Sequence, residues 1–136
     1  FVIEYQDNLF VYFGDTGPDE LEKQGKLATV WSYLAKQMQT KNLRGIVIEV
    51  SFDNRRPDNL LFGHLTPKWL MSELNYFYSL VAKKQQFQDM KILISHIKYS
   101  LKRAINPRLK ILQELEQDNA HGFKFILAKQ GQRFIL

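Results

Sequence analysis

Short apolar runs rich in aromatic and β-branched residues alternate along the chain with longer segments whose apolar positions recur every three or four residues. The short runs predict strands, and the longer segments predict amphipathic helices. The runs that predict strands are Phe1–Tyr5, Leu9–Phe13, Gly45–Val50, Lys91–Ser95, Phe123–Leu127 and Arg133–Leu136. We expect the first two to form a hairpin, and the last two to form another at the end of the chain.

Three helices are predicted between these strands. The segment Leu21–Gln39 places Leu27 and Trp31 on one face of a single long helix. The pairs Thr66–Pro67 and Asn106–Pro107 each supply an N-cap residue followed by proline at the first helical position. The predicted face of the last helix carries three leucines, which are Leu109, Leu112 and Leu115.

The predicted order is β-β-α-β-α-β-α-β-β, which is typical of a single α/β domain and here spans residues 1–136. Hydrophobic residues make up 45% and charged residues 24% of the chain, a balance that excludes intrinsic disorder. No apolar run approaches the roughly 18 residues of a membrane span. Because the chain starts at Phe1 inside a predicted strand, we expect a fragment of a longer protein. We expect that protein to be cytoplasmic or periplasmic and not membrane-embedded.

The charge balance and the residue types narrow the chemistry. The 19 Lys and Arg residues outnumber the 14 Asp and Glu residues, and the net charge of +5 favours anionic partners. Cysteine is absent, so any metal ligands must come from His, Asp and Glu. The aromatic residues fall at core spacing and are not interleaved with basic residues, which argues against nucleic acid as a partner.

Three polar residues lie where α/β folds gather ligands, in the loops that leave the strands. Asp15 lies in the turn Gly14–Pro18, where it serves either the turn's own hydrogen bonds or a metal ion. His64 follows Gly63 and precedes a helix, a place that suits a phosphate or a developing oxyanion. His96 ends a buried strand and is either a core histidine or a zinc ligand. The residues alone leave these alternatives open.

Read together, several segments resemble the C-terminal half of a phosphodiesterase of the metallo-β-lactamase fold. The segments are Tyr12–Pro18, Glu49–Phe52, Phe62–Thr66 and Lys91–Lys98. The stretch Asn54–Pro67 resembles the class II cyclic-nucleotide phosphodiesterases most closely. The fold class implied is therefore α/β, as the C-terminal half of a metallo-β-lactamase-like αββα sandwich.

The resemblance also implies roles for five residues. Asp15 is expected to bridge two divalent metal ions, with zinc favoured over magnesium or manganese, and His96 to ligate one of them. His64 is expected to contact the phosphoryl oxygens or to protonate the leaving oxygen, and Thr66 to add a neutral donor to the substrate. Glu49 is expected to stand behind the site as a hydrogen-bond partner of His64 or His96.

The chain departs from the family in one large respect, since it lacks the family's His-x-His-x-Asp-His motif. The remaining metal ligands are therefore expected upstream of Phe1, in an N-terminal half that would be this chain's partner. We expect the full-length protein to hydrolyse cyclic AMP or cyclic GMP to the 5′-nucleotide, and the isolated chain to be inactive. A tRNA 3′-processing-type nuclease of the same fold and a non-catalytic binding or assembly module are the alternatives, and assembly into a homo-oligomer stays open.

Overall fold

Five strands form one sheet in the order β1-β2-β3-β4-β5. The computed structural model describes residues 1–99 and 106–135. The strands are β1 (Val2–Tyr5), β2 (Asn8–Tyr12), β3 (Asn42–Glu49), β4 (Lys91–Ser95) and β5 (Lys124–Leu127). β1 and β2 pair antiparallel, as the predicted hairpin requires, and every other pair is parallel. The carboxyl ends of β2, β3 and β4 consequently lie at one edge of the sheet.

Within these residues, four α-helices connect the strands. They are α1 (Asp19–Glu22), α2 (Lys26–Gln37), α3 (Pro67–Leu80) and α4 (Pro107–Gln117). Short 3₁₀ segments occur at Asp58–Leu60 and Lys84–Gln88. The three longer helices pack on the sheet face that carries Val11, Ile46 and Ile92, which lie side by side in neighbouring strands. Within the described ranges, no helix has the length and apolar character that crossing a membrane would require.

Trp31 of α2 lies at the centre of the core and is fully buried. Its ring stacks on Phe77 of α3 at 4.9 Å and contacts Phe13 at 5.2 Å between centroids. The indole N–H donates to Glu73 Oε2 at 2.9 Å, and the backbone N–H of Asp19 donates to Glu73 Oε1 at 3.0 Å. A buried carboxylate of α3 therefore joins the first two helices to the core.

On the opposite face of the sheet, the part formed by β1 and β2 is exposed among the described residues, whereas Leu93 of β4 is buried there. Ile3 pairs with Phe10 and Tyr12 pairs with Val47, so these four side chains share one face. Ile3 is 55% and Tyr12 46% exposed. Apolar sheet faces are normally covered by a second layer, and this face is therefore suited to packing against further structure.

The prediction of one helix over Leu21–Gln39 was wrong, because the segment forms parts of α1 and α2. Lys23 and Gly25 both adopt left-handed backbone conformations, with φ of 54° and 62°. The chain turns there, and the Asp19 carboxylate accepts hydrogen bonds from two backbone N–H groups of the first turn of α2. An aspartate in α1 thus caps the next helix, which the apolar spacing alone does not reveal.

The prediction of a C-terminal hairpin was also wrong for the described residues. β5 pairs parallel with β4 after the α4 crossover, and residues 133–135 form no strand. Arg108 ends β5 by donating to the carbonyl oxygens of Leu127 and Ala128 at 3.1 and 2.8 Å. Leu136, the last residue of the predicted hairpin, lies outside the described residues.

The last helix begins as predicted, but one of its three leucines lies elsewhere than expected. Asn106 caps α4 by accepting from the backbone N–H of Arg108 at 3.0 Å. Leu115 is buried, whereas Leu109 is 64% exposed and Ile111 takes the inward position. The covered face is thus rotated by roughly 100°, less than a third of a turn, from the one predicted.

Glu73 makes the stability of the fold depend on pH. Burial raises the pKa of Glu73 above its ordinary value of 4.5, so the folded protein retains this proton to higher pH than the unfolded chain. The stabilisation is present below about pH 4.5 and is lost as pH rises through the raised pKa. We therefore expect Glu73→Gln, which cannot ionise, to gain unfolding free energy relative to wild type as pH rises above about 4.5.

Urea unfolding of both proteins at several pH values measures this difference. Glu20→Gln, at an exposed position of the first helix, is the matched control and should follow the wild type across the range. A difference between Glu73→Gln and wild type that stays flat with pH would contradict the expected shift.

Candidate metal centre

Three of the predicted site residues meet beyond the carboxyl ends of the parallel strands. Asp15 follows β2, His96 follows β4, and His64 lies in the loop between β3 and α3. One potential ligand atom from each side chain lies within 4.8 Å of the other two. Asp15 Oδ1 is 2.9 Å from His96 Nδ1, and both side chains are well exposed. Residues far apart in the sequence thus form one cluster.

The backbone at His96 is left-handed, with φ of 55°. This conformation costs about 1 kcal/mol for a residue with a Cβ. Neighbouring hydrogen bonds hold it in place, because Ser51 Oγ donates to the His96 carbonyl at 3.2 Å and the Lys98 N–H donates to the Ser51 carbonyl at 3.0 Å. The chain leaves β4 at this turn, and the His96 ring contacts Asp15 there.

Glu49, the last residue of β3, is fully buried behind the cluster. Its Oε1 lies 2.9 Å from His64 Nδ1 and accepts from the backbone N–H groups of Leu65 at 3.1 Å and Thr16 at 3.4 Å. One oxygen therefore joins the end of β3 to both the His64 loop and the turn after β2. Of the two histidines considered for it, Glu49 contacts His64. Its Oε2 is buried without a hydrogen-bond partner among the described residues.

The two nitrogens of His64 face different partners. Nε2 lies 2.8 Å from Lys98 Nζ, and an ammonium group only donates, so this nitrogen accepts. Nδ1 then carries the proton of the neutral ring and donates it to Glu49. Sequence reasoning missed Lys98 and Ser51, whose Oγ lies 3.3 Å from His64 Nδ1. Ser51 stands two residues beyond Glu49, and the alternation of an extended chain is a signal that could have found it. Lys98 follows the left-handed turn at His96, and no local pattern in the sequence predicts its position.

Thr66 occupies the N-cap position of α3, with its carbonyl oxygen accepting from the Leu70 N–H at 2.9 Å. Its side chain makes no capping hydrogen bond, and the residue is fully buried. The Oγ1 atom has no hydrogen-bond partner among the described residues. Thr66 therefore lies next to the His64 loop in the sequence but beneath the surface of the cluster.

The cluster has the donor set of a divalent metal site. One carboxylate and two imidazoles are ligands that zinc accepts at about 2.0–2.2 Å, and three protein ligands are what a catalytic zinc site needs. The exposure of Asp15 and His96 leaves the site open to solvent and to a substrate. A pair of metal ions requires more ligands than the three groups that the described residues bring together here.

The family model described as "cAMP phosphodiesterases class-II" matches residues 1–131. The chain belongs to this family. It is 47% identical over 126 residues to the 3′,5′-cyclic-nucleotide phosphodiesterase of Aliivibrio fischeri, covering 93% of this chain and 38% of that protein. It is 44% identical over 130 residues to the probable 3′,5′-cyclic-nucleotide phosphodiesterase of Yersinia pestis, covering 96% of this chain and 38% of that protein. The chain thus spans under two fifths of the length of these class II relatives.

A solved structure supports the same relationship at the level of the fold. The crystal structure of unliganded yeast PDE1 superposes with a TM-score of 0.77 at 28% identity, covering 91% of this chain and 35% of that chain. This likeness confirms the α/β, metallo-β-lactamase-like fold that the sequence resemblance implied.

Glu49 should be indispensable to the arrangement of this class II site. We expect Glu49→Leu to lower the unfolding free energy by about 2–5 kcal/mol, because it leaves two buried donors and one part-buried donor without an acceptor. Glu49→Gln retains one carbonyl acceptor and should lose less. Denaturant unfolding measures both, with Glu116→Leu on the exposed surface of α4 as control. A Glu49→Leu variant as stable as wild type would show that these hydrogen bonds contribute nothing net.

Proposed function

We propose that the protein containing this chain hydrolyses 3′,5′-cyclic nucleotides, cyclic AMP or cyclic GMP, to 5′-nucleotides at a divalent-metal site. The observation that carries the proposal is the convergence of Asp15, His64 and His96 within 4.8 Å in a chain of the class II family. The bacterial relatives, which are named as 3′,5′-cyclic-nucleotide phosphodiesterases, support the substrate class.

Two of the site residues, Asp15 and His96, are metal ligands, and His64 is the proton donor. Asp15 and His96 hold the metal, which we take to be a pair of zinc ions, with magnesium or manganese as alternatives. When bound, the metal lowers the pKa of water and polarises a phosphoryl oxygen. With both ring nitrogens protonated, His64 contacts the phosphoryl group and donates its Nε2 proton to the departing 3′ oxygen, while Glu49 accepts from its Nδ1–H. Thr66, being buried, positions the His64 loop at the start of α3.

We also propose that residues 1–136 are the C-terminal portion of a larger phosphodiesterase. Its N-terminal half supplies the remaining metal ligands and covers the open sheet face that carries Ile3, Phe10 and Tyr12. Two observations support this proposal. On this face Ile3 is 55% and Tyr12 46% exposed, and the chain covers 38% of each of the two bacterial relatives.

An assay of the full-length protein tests the reaction. We expect conversion of cyclic AMP to 5′-AMP, followed by chromatography of the products, and loss of activity after a chelator removes the metal. The isolated chain should be inactive and should bind zinc weakly in a calorimetric titration, because its two proposed metal ligands, Asp15 and His96, leave the two-metal site incomplete. Cleavage of a tRNA precursor without hydrolysis of cyclic nucleotides would overturn the proposal in favour of the nuclease alternative.

The two histidines should respond differently to substitution in the full-length protein. His96→Ala should lose metal and activity together, because it removes a ligand. His64→Ala should retain most of the metal while kcat falls about 10²–10⁴-fold, the range for loss of a general acid. The decrease should be smaller for a nitrophenyl ester, whose leaving group needs little protonation.

Metal analysis and steady-state kinetics of each variant separate these roles. His121→Ala is the control, since its ring stacks on Tyr78 at 3.8 Å outside the cluster. Loss of metal from His64→Ala, with full occupancy of His96→Ala, would require the two roles to be exchanged.

A further inference from the structure

Lys98 places a positive charge beside the cluster, and no carboxylate of the cluster neutralises it. The carboxylates there are already paired, since Asp15 Oδ1 lies 2.9 Å from His96 Nδ1 and Glu49 Oε1 lies 2.9 Å from His64 Nδ1. In the part of the chain that the structure describes, no carboxylate oxygen lies within ion-pair distance of Lys98 Nζ. The ammonium group therefore has a charge to offer to an anion that enters the site.

We propose that the Lys98 ammonium group binds a non-bridging oxygen of the cyclic phosphate, next to the departing 3′ oxygen, and stabilises the negative charge that this oxygen gains in the transition state. The inference rests on the proposed function and adds a second substrate-binding group beside His64. Lys98 keeps its proton throughout, whereas His64 gives its own to the 3′ oxygen as the bond between that oxygen and phosphorus breaks.

The position of the ammonium group relative to His64 suits two oxygens of one phosphate. Lys98 Nζ lies 2.8 Å from His64 Nε2, which is close to the distance between two oxygen atoms bonded to the same phosphorus. With Nε2 donating to the 3′ oxygen, a non-bridging oxygen of the same phosphate lies within reach of Nζ. Both nitrogens are donors during that step and cannot bond each other, so the phosphate supplies the acceptor that each of them needs.

The backbone fixes this spacing before any substrate binds. Ser51 is fully buried. Its backbone N–H donates to the Leu65 carbonyl oxygen at 3.1 Å, and its carbonyl oxygen accepts from the Lys98 N–H at 3.0 Å. Ser51 thus joins the residue that follows His64 to the residue that carries the ammonium group. Donors held in place in this way stabilise transition-state charge without the cost of ordering them during the reaction.

A second contact of the Lys98 side chain leaves its hydrogen-bond donors available. Nζ lies 5.0 Å from the centroid of the Phe52 ring, and such a contact is electrostatic and needs no hydrogen bond. An ammonium group has three donors, and among the described residues Nζ has one acceptor, His64 Nε2. Because Lys98 is exposed, an incoming phosphate reaches the other donors.

Two variants of the full-length protein test the inference with cyclic AMP. Lys98→Met keeps the length of the side chain and removes its charge, and Lys98→Arg keeps the charge. We expect kcat to fall about 10²–10³-fold in Lys98→Met, the range for loss of one donor to a developing oxyanion. Lys98→Arg should recover part of that loss. Metal content should equal that of wild type in both, because Lys98 is not a metal ligand.

Sulfur substitution in the substrate shows whether the ammonium group touches the phosphoryl group. The two diastereomers of adenosine 3′,5′-cyclic phosphorothioate each replace one non-bridging oxygen by sulfur, a poorer hydrogen-bond acceptor. The quantity measured is the ratio of kcat/KM for cyclic AMP to kcat/KM for each diastereomer. In Lys98→Met this ratio should decrease by about 5- to 100-fold for one diastereomer and stay at the wild-type value for the other, because one particular oxygen has lost its partner.

Lys124→Met is the matched control, since Lys124 begins β5 at the opposite end of the parallel strands and its loss changes the net charge equally. It should match the wild type with all three substrates. Lys98→Gln, uncharged and polar, should behave as Lys98→Met does and guards against a variant that fails to fold.

An active wild type together with wild-type kcat in Lys98→Met and Lys98→Gln would overturn the inference alone. A decrease in kcat that leaves both sulfur ratios unchanged, or that accompanies loss of metal, would also overturn it, because the effect would then come from the structure of the site. A wild type that does not hydrolyse cyclic AMP would overturn the proposed function, and this inference with it.

Discussion

The site depends on a single buried oxygen atom, Oε1 of Glu49. A buried carboxylate is strongly unfavourable unless donors surround it, and here they come from the His64 ring and from the backbone N–H groups of Leu65 and Thr16. These donors belong to two different loops, the turn after β2 that contains Thr16 and the loop that contains His64 and Leu65. Without Glu49, none of the described residues at the end of β3 would join the two. Satisfying Glu49 therefore sets the position of the turn bearing Asp15 relative to His64, before any ligand is bound.

The parallel order of the strands, together with Glu49, sets where the site residues lie. Because β2, β3 and β4 run in the same direction side by side, the residues that follow them meet at one edge of the sheet. The helices of the described residues lie on one face of the sheet. The opposite, apolar face and the metal centre have one property in common. Both are arranged so that further structure can complete them, which agrees with a chain that covers 38% of each of its two bacterial relatives.

The parts of the fold that were predictable are those encoded locally. The β-branched run Lys91–Ser95 is a strand, and Asn106 before Pro107 caps a helix. The parts that failed depend on partners distant in sequence. The break at Gly25 is stabilised by Asp19, and β5 pairs with β4 only after the α4 crossover. In the site, strand ends indicated the three clustered residues, but no local pattern places the Lys98 ammonium against His64.

The left-handed backbone at His96 has a consequence for how this position varies. Glycine and asparagine adopt that conformation with less strain than histidine, but glycine offers no side-chain ligand, and an asparagine amide is a weaker metal ligand than imidazole. Because a histidine at this position carries strain that glycine would avoid, we expect selection for the proposed metal site to retain His96, and loss of that selection to let another residue replace it.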